Sequence, residues 1–457
     1  MDPLSHISVW RFKSVLFGAT SSPFMLNCTV ADILEQNKFD KYLEVFVDNL
    51  FILLNQETDI LSASEQIAGI FEANGMPLHE FASNSSSANN VFKTKGIATD
   101  CNDLKTLGLY WDYANDNWYI NKPTFHTDTV SKRSLLSDLA RIFDPLGFLS
   151  MYSIQGKLLV QGAWDSDFSW DAELPEEYTV KWQSIVSQLE SSFKIPKPRW
   201  LGFRSFLDIS LHCFTDASEK ALGVVIYLVQ KNTSRFYTSK SKICPIKSAH
   251  FTIPRKELTS ISLGARYIKF VFNAISKYFT PKSIHLWSDS TTALIWCLSK
   301  VPHKELYVRS RVDDLAKKVQ DYNIVMHHVI SESNPADLLT KYTGKDIKDP
   351  LWTNGPKILQ NPEQWNPFNV TRNRIDTVPI FCGFVPSSQY KDLPDPDKFE
   401  KLIDLHRHTA KSQFQIQEDQ IDVNLVNAEN LWIKKVQYNH YPNVIKFLNQ
   451  MGNKNLN

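Results

Sequence analysis

The sequence predicts a mixed α/β protein built of several consecutive units. Three observations carry that prediction. Residues 206–345 follow the order strand, strand, strand, helix, strand, helix, strand, helix. Residues 121–205 carry helical patterns only. Residues 1–120 mix short strands and helices around one apolar hairpin. A chain of 457 residues leaves room for about two to four domains.

In the first unit, "LEVFVDNLFILL" (Leu43 to Leu54) reads as apolar strand interrupted at Asp48. "SASEQIAGIFEANG" has helical periodicity and stops at Gly75, and "LKTLGLYWDYANDNWYI" reads as a hairpin turning at "YANDN". In the second, "SKRSLLSDLARIFDPLGFLSMYSIQGKLLVQGAW" reads as helices broken at "DPLG". "DAELPEEYTVKWQSIVSQLESS" is a further amphipathic helix, and "KIPKPRW" a Pro-rich joint. The third unit opens on two strands in "LHCFTDASEKALGVVIYLV", where His212, Phe214 and Asp216 share a face. "GVVIYLV" has the unbroken apolar run of a central strand. A long helix follows in "TIPRKELTSISLGARYIKFVFNAI", with Pro254 and Glu257 in its first turn and a stripe of Leu258, Ile261, Ala265 and Ile268. "SIHLWSDSTTALIWCL" is strand then helix with Asp289 at the junction. "NIVMHHVISESNPADLLTKY" repeats that pattern, with Pro335 opening the helix and Asp337 in its first turn. Beyond it, "KDPLWTNGPKILQNPEQWNPFN" reads as linker, residues 385–425 as loose polar chain, and "NAENLWIKKVQYNHYPNVIKFLNQ" as helix-like.

Composition narrows the function. Apolar content of 43% and charged content of 22% belong to a globular protein. A formal net charge of +1 excludes a globally basic nucleic-acid binder, so any such role rests on local patches. The six cysteines, Cys28, Cys101, Cys213, Cys244, Cys297 and Cys382, form no CxxC pair and read as reduced thiols. No signal-peptide pattern opens the chain, and no apolar run reaches the roughly 20 residues a membrane span needs. The expectation is an intracellular protein, cytoplasmic or nuclear, without a membrane partner.

The chemistry is in the acids. Asp216, Glu257, Asp289 and Asp337 come from four elements, and strand ends and helix starts of an α/β layer converge on one sheet edge. Each acid alone suits a helix start, where it offsets the dipole. Together on one edge they would repel strongly unless cations bound there. Mg²⁺ or Mn²⁺ prefers such oxygen ligands, and a pair about 4 Å apart promotes phosphodiester cleavage. At the hairpin tip, a polymerase would place two adjacent Asp residues to hold metal. Here Asn49 follows Asp48.

"FTDASEKALGVVIY", "TIPRKEL", "WSDSTTALIW" and "HHVISESNPADLLT" resemble the RNase H region of Bel/Pao-class LTR retrotransposon polyproteins. Upstream, "VLFGATSSPFML", "VFVDNL" and "LGLYWD" are similar to the template grip, catalytic hairpin and primer grip of their reverse transcriptase. "LLSDLARIFDPLGFLS" resembles the connection between the two enzymes, and "LWTNGPKIL" the segment after RNase H. The resemblance implies a degenerate, partial reverse-transcriptase palm (1–120), a connection or thumb-like helical region (121–205) and an RNase H-like domain (206–345). Residues 346–457 would be a linker and a truncated integrase lead-in. It implies a mixed five-stranded sheet with flanking helices in the RNase H-like part. It further implies cleavage of the RNA strand of RNA–DNA hybrids, with Asp216, Glu257, Asp289 and Asp337 as catalytic, metal-binding acids. It also implies an Asp-bearing strand upstream of "FGATSSPF", which is expected to be absent here. With Asn49 in place of the second Asp, "FVDN" reads as a polymerase relic whose palm exposes its apolar face. No D-T/S-G triplet points to an aspartic peptidase. His440 stands alone in the tail and no Cys follows Cys382, so no integrase zinc site is expected; His406 and His408 read as solvated.

From Lys231 to Lys256 the chain carries Lys231, Arg235, Lys240, Lys242, Lys247, Arg255 and Lys256 with no intervening acid. Such a stretch beside a metal centre suits a phosphate backbone, read by shape and without sequence specificity. Lys300, His303, Lys304, Arg309 and Arg311 form a weaker second patch. The alternatives are a catalytically silent nucleic-acid-binding remnant of a retroelement, or a recruited interaction protein.

Overall fold

The computed structural model describes residues 15–16, 18–37, 43–54, 56–164, 167–193, 195–203, 205–245, 251–299, 305–341 and 345–369. Lys247, Lys300, His303, Lys304, Cys382 and the tail with His406, His408 and His440 lie outside them.

The first elements are α1 (Ser22–Gln36), the hairpin β1 (Leu43–Phe46) and β2 (Asn49–Ile52), α2 (Ile60–Ala73) and α3 (Ser86–Thr94). A small core joins them, with Val30 and Ile33 of α1 against Ile67 and Phe71 of α2 and the apolar side of the hairpin. Phe24 is 71% exposed and Phe46 53%, so apolar surface remains on this part. β3 (Asp103–Thr106), β4 (Leu109–Asp112) and β5 (Asn117–Tyr119) follow. The expected single hairpin is thus a three-stranded meander, because Leu107 and Gly108 both take positive φ and make a second tight turn.

Helices α4 (Lys132–Arg141), α5 (Ser150–Trp164) and α6 (Glu176–Phe193) come next, broken at "DPLG" as the sequence reads. The Pro-rich joint adds a short strand, β6 (Lys197–Pro198), to the meander beside β5. The central sheet is built from β7 (Ile209–Ala217), β8 (Ala221–Gln230), β9 (Thr233–Ile243), β10 (Ser283–Ser288) and β11 (Ile324–His328). Its order is β11-β10-β7-β8-β9. The first three strands in sequence pair antiparallel, while β10 and β11 run parallel to β7. Helices α7 (Ile253–Ile275), α8 (Thr291–Leu298) and α9 (Leu306–Tyr322) pack on one face.

Alternation along the strands separates two cores. Leu211, Cys213, Val224, Ile226, Leu286 and Met326 meet Leu258, Ile261, Ala265 and Ile268, the predicted stripe of α7. Phe214, Val225, Tyr227 and Trp287 meet Leu149, Met151, Tyr152, Trp182 and Leu189 of the preceding helical region. Residues 121–205 therefore cover a face of the sheet and share its core.

Residues 345–369, which composition assigns to a linker, pack on that same face. α10 (Pro350–Thr353) buries Trp352, whose Nε1 donates to Phe148 O at 3.2 Å, and Tyr227 Oη donates to Trp352 O at 2.9 Å. The Pro and Asn content sets turns here, while the tryptophans anchor them. Both sheet edges are covered. Ser239 N donates to Leu146 O at 2.9 Å on β9, and Phe368 N donates to Met326 O at 2.8 Å on β11. The "DPLG" turn approaches β9 so closely that a Cβ on Gly147, at φ +73°, would lie 2.1 Å from Ser239 O.

Candidate metal centre

Asp216 is the penultimate residue of β7, in the middle of the sheet, and is 1% exposed. β10 runs parallel beside it, so its end delivers Asp289 to the same edge. Glu257 reaches that edge from α7. It lies in the second turn rather than the first, since the helix begins at Ile253, and this places it beneath the strand ends. Carboxylate oxygens of Asp216, Glu257 and Asp289 lie within 4.8 Å of one another.

Asp337 stands outside that close group, and the Asp216 charge acts on it. Its segment is a 3₁₀ helix, Pro335–Leu339, rather than the expected α-helix. Leu338 and Leu339 press onto β8, and Asn334 caps the turn by accepting from Ala336 N at 3.1 Å. Lys341, one turn on, sets Nζ 3.2 and 3.3 Å from the two Asp337 oxygens.

Burial raises the pKa of Asp216. Burial, followed by the charges of Asp216 and Asp289, pushes Glu257 up to about 9. Burial and the Asp216 charge push Asp337 up to about 7. Burial works to lower the Lys341 pKa, but Asp216, Asp337 and Asp289 outweigh it and the ammonium is held charged.

Several oxygens of this cluster are held by the protein. The Ser331 hydroxyl donates to Asp289 Oδ2 and the Thr340 hydroxyl to Asp216 Oδ2. Among the described residues, Glu257 Oε2 and Asp289 Oδ1 are buried without a hydrogen-bond partner. Buried oxygens left open are costly unless something outside the chain meets them. Hard carboxylate oxygens converging from three elements, with Asp337 beside them, could hold a divalent cation of the Mg²⁺ type. Ser331, Thr340 and Lys341 escape the sequence reading. For Lys341 alone there was a signal, its i,i+4 spacing from Asp337.

The candidate nucleic-acid residues divide. Lys231, Arg235, Lys240 and Lys242 are exposed on β9 and its turn. Gly223 of β8 pairs with both Asp216 and Ser241, so Lys240 and Lys242 flank a position two strands from the carboxylates. Lys256 is buried and donates to Glu219 O at 2.8 Å, and Arg255 is paired with Glu305 at 2.5 Å. Those two cations already have protein partners, with Lys256 buried and Arg255 half-buried. Arg311 stacks on Tyr307, 3.5 Å from its ring centre.

At the hairpin, Asp48 lies in the two-residue turn and Asn49 opens β2, its amide 3.4 Å from Asp48 Oδ1. Among the described residues Asp48 joins no group of three metal-ligating side chains.

Residues 131–290 match the family model described as "Pao retrotransposon-like RNaseH-like domain". No curated protein matches the chain significantly in sequence. Among solved structures the chain is similar to a foamy viral protease-reverse transcriptase in complex with double-stranded DNA, at 16% identity and a TM-score of 0.44. That alignment covers 67% of this chain and 49% of the other, so the chain spans about half the length of the viral protein. It is also similar to RNase H1 from the archaeon Halobacterium salinarum, at 11% identity and a TM-score of 0.22, over 28% of this chain and 89% of that one.

Proposed function

We propose that this chain, whose residues 131–290 match the model of the Pao retrotransposon-like RNaseH-like domain, hydrolyses the RNA strand of RNA–DNA hybrids inside the cell, and that its reverse-transcriptase-like part does not polymerise. The observation that carries the reading is the buried carboxylate group with two unpaired oxygens, Glu257 Oε2 and Asp289 Oδ1.

Asp216, Glu257, Asp289 and Asp337 would hold Mg²⁺ or Mn²⁺. Divalent ions there supply an activated water and neutralise charge on the leaving oxygen. Asp216 sits between the other acids and is shared by them. Glu257 and Asp289 each keep one buried oxygen without a hydrogen-bond partner among the described residues. Lys341 holds Asp337 at the margin and keeps a positive charge beside the point where a phosphate would lie. The exposed Lys231, Arg235, Lys240 and Lys242 offer that backbone a salt-sensitive, sequence-independent hold. Selection for RNA would come through the 2′-hydroxyl.

For synthesis the hairpin tip offers a single carboxylate, Asp48, with neutral Asn49 beside it. No helix among the described residues is long and apolar enough to cross a membrane.

The test is purified full-length chain with end-labelled RNA–DNA hybrid, duplex DNA and duplex RNA, in Mg²⁺, Mn²⁺ and chelator. RNA-strand cleavage confined to hybrid plus metal is expected. Intact hybrid in both metals would overturn the reading. Changing Lys240 and Lys242 to Ala should flatten the salt dependence of hybrid binding by roughly 0.7–0.9 log units for each phosphate no longer neutralised.

A further inference from the structure

A carboxylate has two oxygens, and rotation about its last torsion is broad and two-fold. A ligand set is ordered only if something fixes which oxygen faces the ion. Here, for Asp289, Oδ2 accepts from the Ser331 hydroxyl and Oδ1 is left buried and unpaired. For Asp216, Oδ2 accepts from the Thr340 hydroxyl. That hydroxyl also lies 3.3 Å from Asp337 O, but it has one proton and the charged oxygen is the stronger acceptor.

Both hydroxyls come from one segment, residues 331–340, which also carries Asp337. The segment is itself fixed to the sheet. Asn334 Nδ2 donates to Thr215 O at 3.1 Å, next to Asp216. Gly223, directly across from Asp216, leaves room for it. A Cβ there would lie 2.7 Å from Leu339 Cβ and 2.8 Å from Ala336 O.

We propose that Ser331 and Thr340 are positioning residues of the metal centre. By donating to the outer oxygens of Asp289 and Asp216 they turn the remaining oxygens toward the cation. The inference rests on the metal-centre reading above. Loss of such outer partners typically lowers metal affinity roughly 10–100-fold. If the hydroxyls only satisfied buried charge, their loss would lower stability without metal and leave affinity alone.

The experiment is calorimetric titration of the full chain with Mn²⁺, without nucleic acid, alongside melting temperatures in chelator. Asp216→Asn is the control for the centre itself and should abolish binding. Ser331→Ala and Thr340→Val should each weaken Mn²⁺ binding by roughly 10–100-fold. Ser331→Thr and Thr340→Ser, which keep the hydroxyl, should restore it to within a few-fold. Melting temperatures in chelator should not separate Thr340→Val from Thr340→Ser. If Ser331→Ala and Thr340→Val bind as the wild type does while Asp216→Asn does not, the positioning roles are overturned and the centre stands. If the wild type shows no binding that Asp216→Asn removes, the centre falls, and these roles with it.

Discussion

β7 carries two clusters of buried titratable groups on one face, and they are wired in opposite ways. Near its start, His212 stacks on His285 of β10, with ring centres 4.4 Å apart, and Trp287 stacks on His327 of β11 at 4.2 Å. Trp287 Nε1 donates to His212 Nδ1 at 3.1 Å, so His212 carries its proton on Nε2, facing Ser210 Oγ at 2.9 Å. Asn366 O can only accept, so His327 is protonated on Nδ1, 2.9 Å away. Its Nε2 then accepts from His285 Nδ1 at 2.8 Å, and His285 Nε2 accepts from the Ser283 hydroxyl at 2.8 Å. Every ring is neutral with both nitrogens satisfied. Burial holds His212 well below the usual imidazole range, His285 down to about 3, and His327 below its ordinary value. At the other end of the strand, the acids leave two buried oxygens open. Burial alone therefore does not mark a functional site. A closed network serves cohesion, while an open one calls for a ligand.

The sharpest break of this contrast is Asp289→Asn. It keeps the shape and removes one charge from the open cluster. Hybrid cleavage should fall by more than the roughly hundredfold that loss of an outer-shell partner can cost. The melting temperature in chelator should hold level or rise, since the remaining acids repel less. Full cleavage by this variant would sink the metal-site assignment. The reciprocal change, His212→Ala, should leave Mn²⁺ binding intact in protein still folded. It opens a cavity and strands the Trp287 N–H, so it should cost roughly 3–5 kcal/mol in urea unfolding. A loss under about 1 kcal/mol would show that the histidine network is dispensable.

The two clusters differ as much in legibility. The four acids can be read because strand-end and helix-start positions converge in any α/β layer. Even so, Glu257 falls one turn deeper than the pattern says, and the Asp337 turn is tightened by packing onto β8. Ser331 and Thr340 are common residue types, and only the fold brings them to Asp289 and Asp216. Alternation places His212 on the Asp216 face, but sequence does not say that β10 and β11 will align His285 and His327 beside it. That needs the strand order, which is set by long-range pairing. Residues 345–369 mislead by composition: Pro and Asn suggest open chain, yet Trp365 sits edge-on to His212 with ring centres 4.4 Å apart.

Acidity separates the clusters by sign. The histidines have folded pKa values below the ordinary 6.5. As pH falls through that value, the unfolded chain takes up protons the fold refuses. Stability is lost from there down toward about 3, where His285 titrates in the fold. The slope approaches about 1.4 kcal/mol per pH unit for each histidine withheld. Asp337 and Glu257, raised to about 7 and about 9, run the other way. Their contribution is fully present below about pH 4 and is lost as pH rises through those values. In chelator the melting temperature should therefore peak between two limbs. Mg²⁺ should lift the alkaline limb and leave the acid limb unchanged; an equal lift on both would mean that the ion acts elsewhere.

The smallest expected effect tests whether adjacent acids can replace converging ones. Asn49→Asp gives the hairpin the two neighbouring carboxylates that a polymerase would carry. Asn49 is exposed and, among the described residues, its only side-chain hydrogen bond is the 3.4 Å contact with Asp48 Oδ1. The change should therefore shift stability by no more than about 0.5 kcal/mol. It places two like charges side by side at an open turn, where water screens them and no third ligand among the described residues approaches. Asp216, Glu257 and Asp289 hold their oxygens together because three separate elements press them there against their repulsion. The hairpin has nothing of the kind. Primer extension and Mn²⁺ binding at the hairpin should stay undetectable in Asn49→Asp, with the Asp216→Asn background removing the other centre's signal. Nucleotide incorporation by that double variant would mean that this part of the chain retains a working polymerase site.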